Sequence, residues 1–464
     1  MEEMSMKKYV VFVLSAVIIF SSTGLYARDI YVSPSGSGTA YTQASPGSAK
    51  GGLALAQAGD TVWFMNGTYR DTASTWQYAF NTSASGTSGN PITLKAVNRG
   101  SAILQRNSNS VPAIGIQGRN YIVIDGFLTQ GAIQIHTVNY CTIKNCEVIY
   151  GFVQGGDASL NWGINAQYAN YCTIQNNYVH DLDNSGNHGH NSACIMIFGA
   201  SDYNVIEYNT VDGGGTNIYN AYGTKAGGMD DNVWRYNFGR NCCGTGFMAM
   251  GSTDGTVGTY RGKIYQNVII NTPYFFESYR HGHDWQVYNN TAYNISFMYN
   301  LQWETGAKLP TGNTFYNNIC HTLGRVYYRD ASTPSWSSSA STFFTYINYN
   351  QMYNVTAGWS GGAGATTTTL AQWQSTVSSI SGDANSFTTN PNFVNAGGTT
   401  AASYKRSSYP TTGRGGSYSS IMGAYMTGEE TIGATSGDAP ESDPPTVDTN
   451  PPSRPTGVTT TIIQ

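Results

Sequence analysis

The chain has 464 residues, 40% of them hydrophobic and only 11% charged, with a formal net charge of -4. Globular proteins carry about 25% charged residues, so this surface is wetted mainly by neutral groups: Asn, Ser and Thr, with 54 Gly and 34 Tyr among them. No basic stripe is present to meet nucleic-acid phosphates, which excludes that partner class, while the composition fits an extracellular β-rich protein.

The chain opens on a targeting pattern. Lys7 and Lys8 precede an apolar run at 9–20 that only Ser15 interrupts, and small residues lead to Ala27. The run is too short to span a bilayer, so residues 1–27 read as a cleaved signal peptide. No later stretch reaches the roughly 20 apolar residues of a membrane helix, and no membrane span is expected. Residues 48–58 carry helical spacing at Leu53, Leu55 and nearby Ala, and predict a helix that caps the N-terminal end of the following structure.

From Cys141 onward one phrase recurs: CTIKNCEV at 141, CTIQNNYV at 172, NVIEYNTV at 204, NVWRYNFG at 232, GKIYQNVI at 262, WQVYNNTA at 285 and NTFYNNIC at 313. It places Asn at 177, 209, 237, 267, 290 and 318, at intervals of 32, 28, 30, 23 and 28 residues. Such spacing marks the coils of a solenoid. Alternating strands such as 113–116, 132–135 and 163–166 fill the rest of each coil. Equivalent residues of stacked coils lie about 4.8 Å apart, so the Asn column predicts a ladder of amides bonded to one another inside a turn, structural and not catalytic.

Seven cysteines include Cys141 and Cys172 at equivalent positions, able to stack or bridge. The others read as small core residues, and no CxxC suggests zinc or redox chemistry. Residues 390–394 and 422–425 are expected to close the last coils. Residues 28–427 then form one domain, 428–452 an acidic Pro-rich linker, and 453–464 the start of a fibronectin-type-III-like module.

The AxAGDTVxxxNGTY phrase at 56–69, GNPITL at 89–94, the Asn-rich coils and the NPNFVN and MGAY phrases near the end resemble the secreted right-handed β-helix superfamily, over residues 28–427. That superfamily includes pectate, alginate and chondroitin lyases. The resemblance implies an all-β, single-stranded right-handed parallel β-helix with an N-terminal capping helix. It also implies a monomeric protein, secreted or held at a bacterial cell surface, whose partner is a polysaccharide. The implied reaction is β-elimination on a uronate: a base, commonly Lys or Arg, takes the C5 proton, and a cation, often calcium, neutralises the carboxylate.

Residues that break the repeat are the candidates for that chemistry. Lys225 stands among glycines just after a strand at 218–223 that carries Asn220 and Tyr222. Two coils later Arg280 follows the strand at 274–279, which bears Glu277 and Tyr279. Burying a lone carboxylate is costly, so Glu277 is expected to face outward with Tyr279. Lys225, Glu277 and Arg280 are taken as catalytic candidates; Tyr279, His281, Asn220 and Tyr222 are taken as substrate contacts. Asp181, Asp183 and Asp212 fall near one corner of adjacent coils, about 5 Å apart, where carboxylate oxygens would suit calcium. The HGH triplets at 188–190 and 281–283 are too far apart to share an ion and read as turn residues. The alternatives are a non-catalytic adhesin on the same fold, and a hydrolase using Glu277 with an aspartate.

Overall fold

Short strands separated by left-handed corners wind the chain into stacked coils. The computed structural model describes residues 27–435 apart from 72–78, 109, 154–160, 183–191, 224–227, 243, 245, 253–257, 303–307, 331–332, 363–365 and 409–421. A first sheet stacks twelve strands in parallel, from Asp29–Val32 to Phe344–Asn348. A second sheet of eighteen strands covers the other faces. Its long strands serve two of them: in Val268–Tyr279, residues 268–270 pair with 238–240, and 274–278 pair with 246–250. Crossovers between parallel strands are right-handed for steric reasons. The chain is a right-handed parallel β-helix.

Register is one-for-one, so like residues stack. Ile124, Ile143, Ile174, Ile206, Trp234 and Ile264 form one inward column of the first sheet, all buried. The corners use residues with positive φ, among them Tyr140, Tyr171, Tyr203, Asp231, Arg261 and Asp284 at 55–58°. Such a conformation disfavours an L side chain by about 1–2 kcal/mol, so the coil must hold it in place.

The Asn ladder provides that hold. Asn209 follows the left-handed Tyr208, and Asn237 follows Tyr236. Asn237 Nδ2 donates to Asn267 Oδ1 at 3.0 Å and to the Ile206 carbonyl at 2.9 Å. Its own Oδ1 accepts from the backbone N–H and Nδ2 of Asn209, both at 3.0 Å. Every amide thus satisfies backbone groups that the corner would orphan, and the ladder continues through Asn290, Asn318 and Asn350. A second ladder stands at the next corner, where Asn204 bonds Asn232 at 3.0 Å. Cys172 and Cys141 occupy its first rungs: Cys172 N–H donates to Asn204 Oδ1, Cys141 N–H to Cys172 Sγ, and both thiols are free. These two cysteines stack without bridging.

The capping helix is Ala49–Leu55, shorter than the expected 48–58, with Ser48 Oγ accepting from Gly51 N–H. At the other end Asn350 Nδ2 donates to Asp383 Oδ1 at 3.0 Å, and Asp383 Oδ2 accepts from Tyr327 and Trp373. The ladder therefore ends on Asp383, before residue 390. The segments expected to close the coils run back along the flank instead. Gly423 N–H donates to the Asn317 carbonyl, Gly433 to Tyr236 and Ala434 to Thr210 Oγ1. Thr435 N–H reaches Asn176 Oδ1, and its carbonyl accepts from Arg99. Ala424 and Tyr425 cover Phe238, Val268 and Ile270, apolar residues that face out of the coils. Packed chain thus continues past the expected boundary at 427, because this strap has an apolar surface to bury. Among the described residues no helix is long and apolar enough to cross a membrane.

Candidate functional site

The last long strands carry the candidate site. Phe276, Tyr299 and Tyr327 stack into the core, so the next residue of each strand turns outward. The residues in register at this position are Gln134, Asn165, Met196, Tyr219, Ala249, Glu277, Asn300, Tyr328 and Gly361. Glu277 is the one carboxylate among them. It faces outward as expected, but it is only 8% exposed, where solvation had been expected. Glu277 Oε2 accepts from Asn300 Nδ2 at 2.8 Å and from Gln302 Nε2 at 3.3 Å. Both donors are neutral, and two neutral amides do not replace the lost water. Burial accordingly pushes the carboxyl up to about 7, with the Asn300 bond pulling weakly the other way.

Aromatic side chains frame this carboxyl. Tyr274, three residues earlier, is partly buried, and its hydroxyl is pushed up by burial and then by the neighbouring Glu277. The Tyr274 ring stacks on Phe297 at 5.3 Å, and Phe297 on Tyr328 at 4.5 Å. A carboxyl pushed up to about 7 beside an aromatic wall can accept or return a proton near neutral pH.

The other candidates lie around it unevenly. Lys225, Asp183 and the triplet at 188–190 lie outside the described residues. Asn220 pairs with Ile197 and Met250, one position on from Tyr219, which is the residue in register with Glu277. Tyr222 belongs to the strand Thr216–Gly223, where the register shifts. Tyr279 pairs with Gln302 at the end of the Glu277 strand. Arg280, with φ of 46°, turns the chain there and donates its backbone N–H to the Gln302 carbonyl. No ion pair among the described residues joins Arg280 to Glu277. His281 is fully buried, and its Nε2 accepts from the Lys308 N–H at 3.1 Å. That bond holds the ring inside the turn, away from the surface patch expected for it.

At the acidic corner Asp181 and Asp212 stand four and three residues after their ladder Asn, and the register keeps that offset. Tyr178 pairs with Thr210 and Val179 with Val211, which sets Asp212 beside His180 instead of Asp181. Asp212 accepts from Arg240 Nε at 2.7 Å and Asn241 Nδ2 at 2.8 Å, and Asp181 lies 2.8 Å from His180 Nδ1. Calcium would have to displace these partners, so the described oxygens do not form a ready cage for it. Among the described residues no group of three His, Cys, Asp or Glu side chains is placed to hold a metal.

Asn300, Gln302, Tyr274 and Phe297 are not marked by the sequence reading, whereas Tyr328 stands among the aromatics it offers as sugar platforms. A signal existed: Tyr219, Glu277, Asn300 and Tyr328 each stand ten residues after a ladder Asn, at 209, 267, 290 and 318.

No family profile matches this chain, and no curated protein matches it in sequence. Several solved structures share its winding. A pectate lyase is 15% identical over 66% of this chain and 78% of its own, with a TM-score of 0.45. A mannuronic-acid-specific family 6 lyase from human gut microbiota is 14% identical over 73% and 77%, with a TM-score of 0.44. A rhamnogalacturonan lyase is 17% identical over 64% and 82%, also with a TM-score of 0.44. Likeness of this size concerns the path of the backbone alone.

Proposed function

We propose that the protein is an extracellular polysaccharide lyase that cleaves a uronate-containing chain by β-elimination, with Glu277 as the proton acceptor. The observation that carries this reading is a single outward carboxyl, buried under neutral donors and titrating near 7. In the ionised form it would take the C5 proton. The electron pair left at C5 would form the C4–C5 double bond as the C4–O bond breaks, and the departing sugar oxygen would gain a proton. Arg280 at the end of the same strand, or Lys225, would neutralise the uronate carboxylate and make the carbanion bearable.

Hydrolysis of a glycosidic bond ordinarily needs two carboxyls flanking it; among the described residues the outward column offers one, which suits elimination by a lone base. No step passes through calcium; an ion at Asp181, Asp183 and Asp212 would first have to part Asp181 from His180 and Asp212 from Arg240. The test is incubation with polygalacturonate, alginate and chondroitin, following the ultraviolet absorbance of the unsaturated uronate product. Product from one of them, lost in Glu277→Gln, supports the reading. No product from any, with calcium added or chelated, overturns it for these polymers and favours the adhesin.

A further inference from the structure

Beside the Glu277 patch, at the corner where the long strands change face, lies a groove of about 660 Å³. Thr272, Ile295 and Leu323 stack in register along it, and Thr356 of the following strand extends it to a fourth coil. Four coils span about 14 Å at the strand spacing. Its rim carries an exposed amide pair, Asn294 Nδ2 donating to Asn271 Oδ1 at 2.8 Å. Phe297 belongs both to this groove and to the aromatic wall against Tyr274 and Tyr328, so the groove opens onto the Glu277 patch.

Arg325 sets the groove apart. It pairs in register with Phe297, lines the groove, and lays its guanidinium over Gly361, where any side chain would collide with it. Its hydrogen bond runs from Nη1 to the Ser360 carbonyl at 3.3 Å. Arg235, Arg240 and Arg261 each rest on a carboxylate. Among the described residues no carboxylate lies within ion-pair distance of Arg325. A partly buried guanidinium that meets no carboxylate among the described residues, at the lip of an open groove, is placed to take a planar or tetrahedral oxyanion through its N–H groups.

We infer that this corner groove binds an acidic polysaccharide laid along the helix axis, with Arg325 reading a carboxylate or sulfate on one of its residues. The inference adds a location and a charge requirement to the proposed function, on which it rests for the class of polymer only. Neutral amides and hydroxyls along the rim would meet sugar hydroxyls, and the aromatic wall would pass the chain toward Glu277.

The test is binding of the full chain to polygalacturonate, dextran sulfate and neutral dextran at low and at physiological salt, followed by affinity electrophoresis and calorimetry. The expected result is binding to one or both polyanions and none to dextran, with Arg325→Gln weakening it by about tenfold or more, as loss of a charge-assisted hydrogen bond implies. Arg325→Lys keeps the charge without the fork and should fall between. Arg261→Gln, at another corner, should leave affinity unchanged, and melting curves check that each variant folds. Polygalacturonate alone points to carboxylate, and dextran sulfate alone to sulfate. No polyanion binding, equal loss in Arg261→Gln, or full affinity in Arg325→Gln overturns the inference. Binding without product would sink the lyase reading and spare the groove; product with full affinity in Arg325→Gln would do the reverse.

Discussion

Replacing Glu277 by Gln gives the sharpest measurement of whether the outward carboxyl is poised as described. Its value rises from an ordinary 4.5 to about 7 because burial disfavours the ionised form. The sign follows from which state binds the proton more tightly. Below pH 4.5 the folded and unfolded chains both hold it, and there is no penalty. Between 4.5 and 7 the unfolded chain releases the proton while the folded one keeps it, so stability falls as pH rises, and the full penalty is present above 7. At roughly 1.4 kcal/mol per pH unit this amounts to about 3 kcal/mol. Glu277→Gln cannot ionise and escapes it, while still offering an oxygen to Asn300 and Gln302. Its stability relative to the parent should therefore improve by about 3 kcal/mol between pH 4 and pH 8, or about 4 °C in Tm for the roughly 350 described residues. Scanning fluorimetry at the two pH values reads this directly. An equal Tm difference at both would refute the claim that Glu277 is held near neutrality by burial. If the same group is the base, product formation by the parent should rise through about pH 7. Glu277→Gln should then lose about 10²- to 10⁴-fold in kcat.

Asn237→Ala should cost about 3–5 kcal/mol, because it leaves the Asn209 N–H and the Ile206 carbonyl buried without partners; urea denaturation checks this against Asn294→Ala on the exposed rim, expected within about 0.5 kcal/mol. Cys172→Asn should stabilise by about 1 kcal/mol, since an amide oxygen accepts the Cys141 N–H better than sulfur does; a lower urea midpoint would count against the two-ladder account. Asn165 is 0% exposed with both amide atoms unpartnered, so Asn165→Leu should raise the midpoint by about 1–3 kcal/mol, and a loss would mean the amide is satisfied in solution. Tyr425→Ala should loosen the strap without unwinding the coils, read by limited proteolysis as early release of the C-terminal segment from an otherwise resistant core.

The sequence by itself determined the winding. A period near 28 residues with Asn at one place allows little else, because a repeated buried amide is tolerable only if each copy satisfies the next. Glu277 was legible as a residue that breaks the repeat, and the cost of burying a lone carboxylate gave its outward direction. Its burial was not legible, since that depends on Asn300 and Gln302 brought alongside from the next coil and on the aromatic wall beside them. Asp181 and Asp212 show the same limit: counting from the ladder Asn gave their one-residue offset, which the register keeps, but not the partners that occupy them, His180 for Asp181 and Arg240 for Asp212. The strap over Phe238 and Val268 has no periodic signature at all, because it crosses the coils lengthwise. Periodicity records what each coil shares with its neighbours. The charge state of Glu277 and the placement of Arg325 against Gly361 depend on unlike residues meeting across coils, and those meetings exist only in the folded chain.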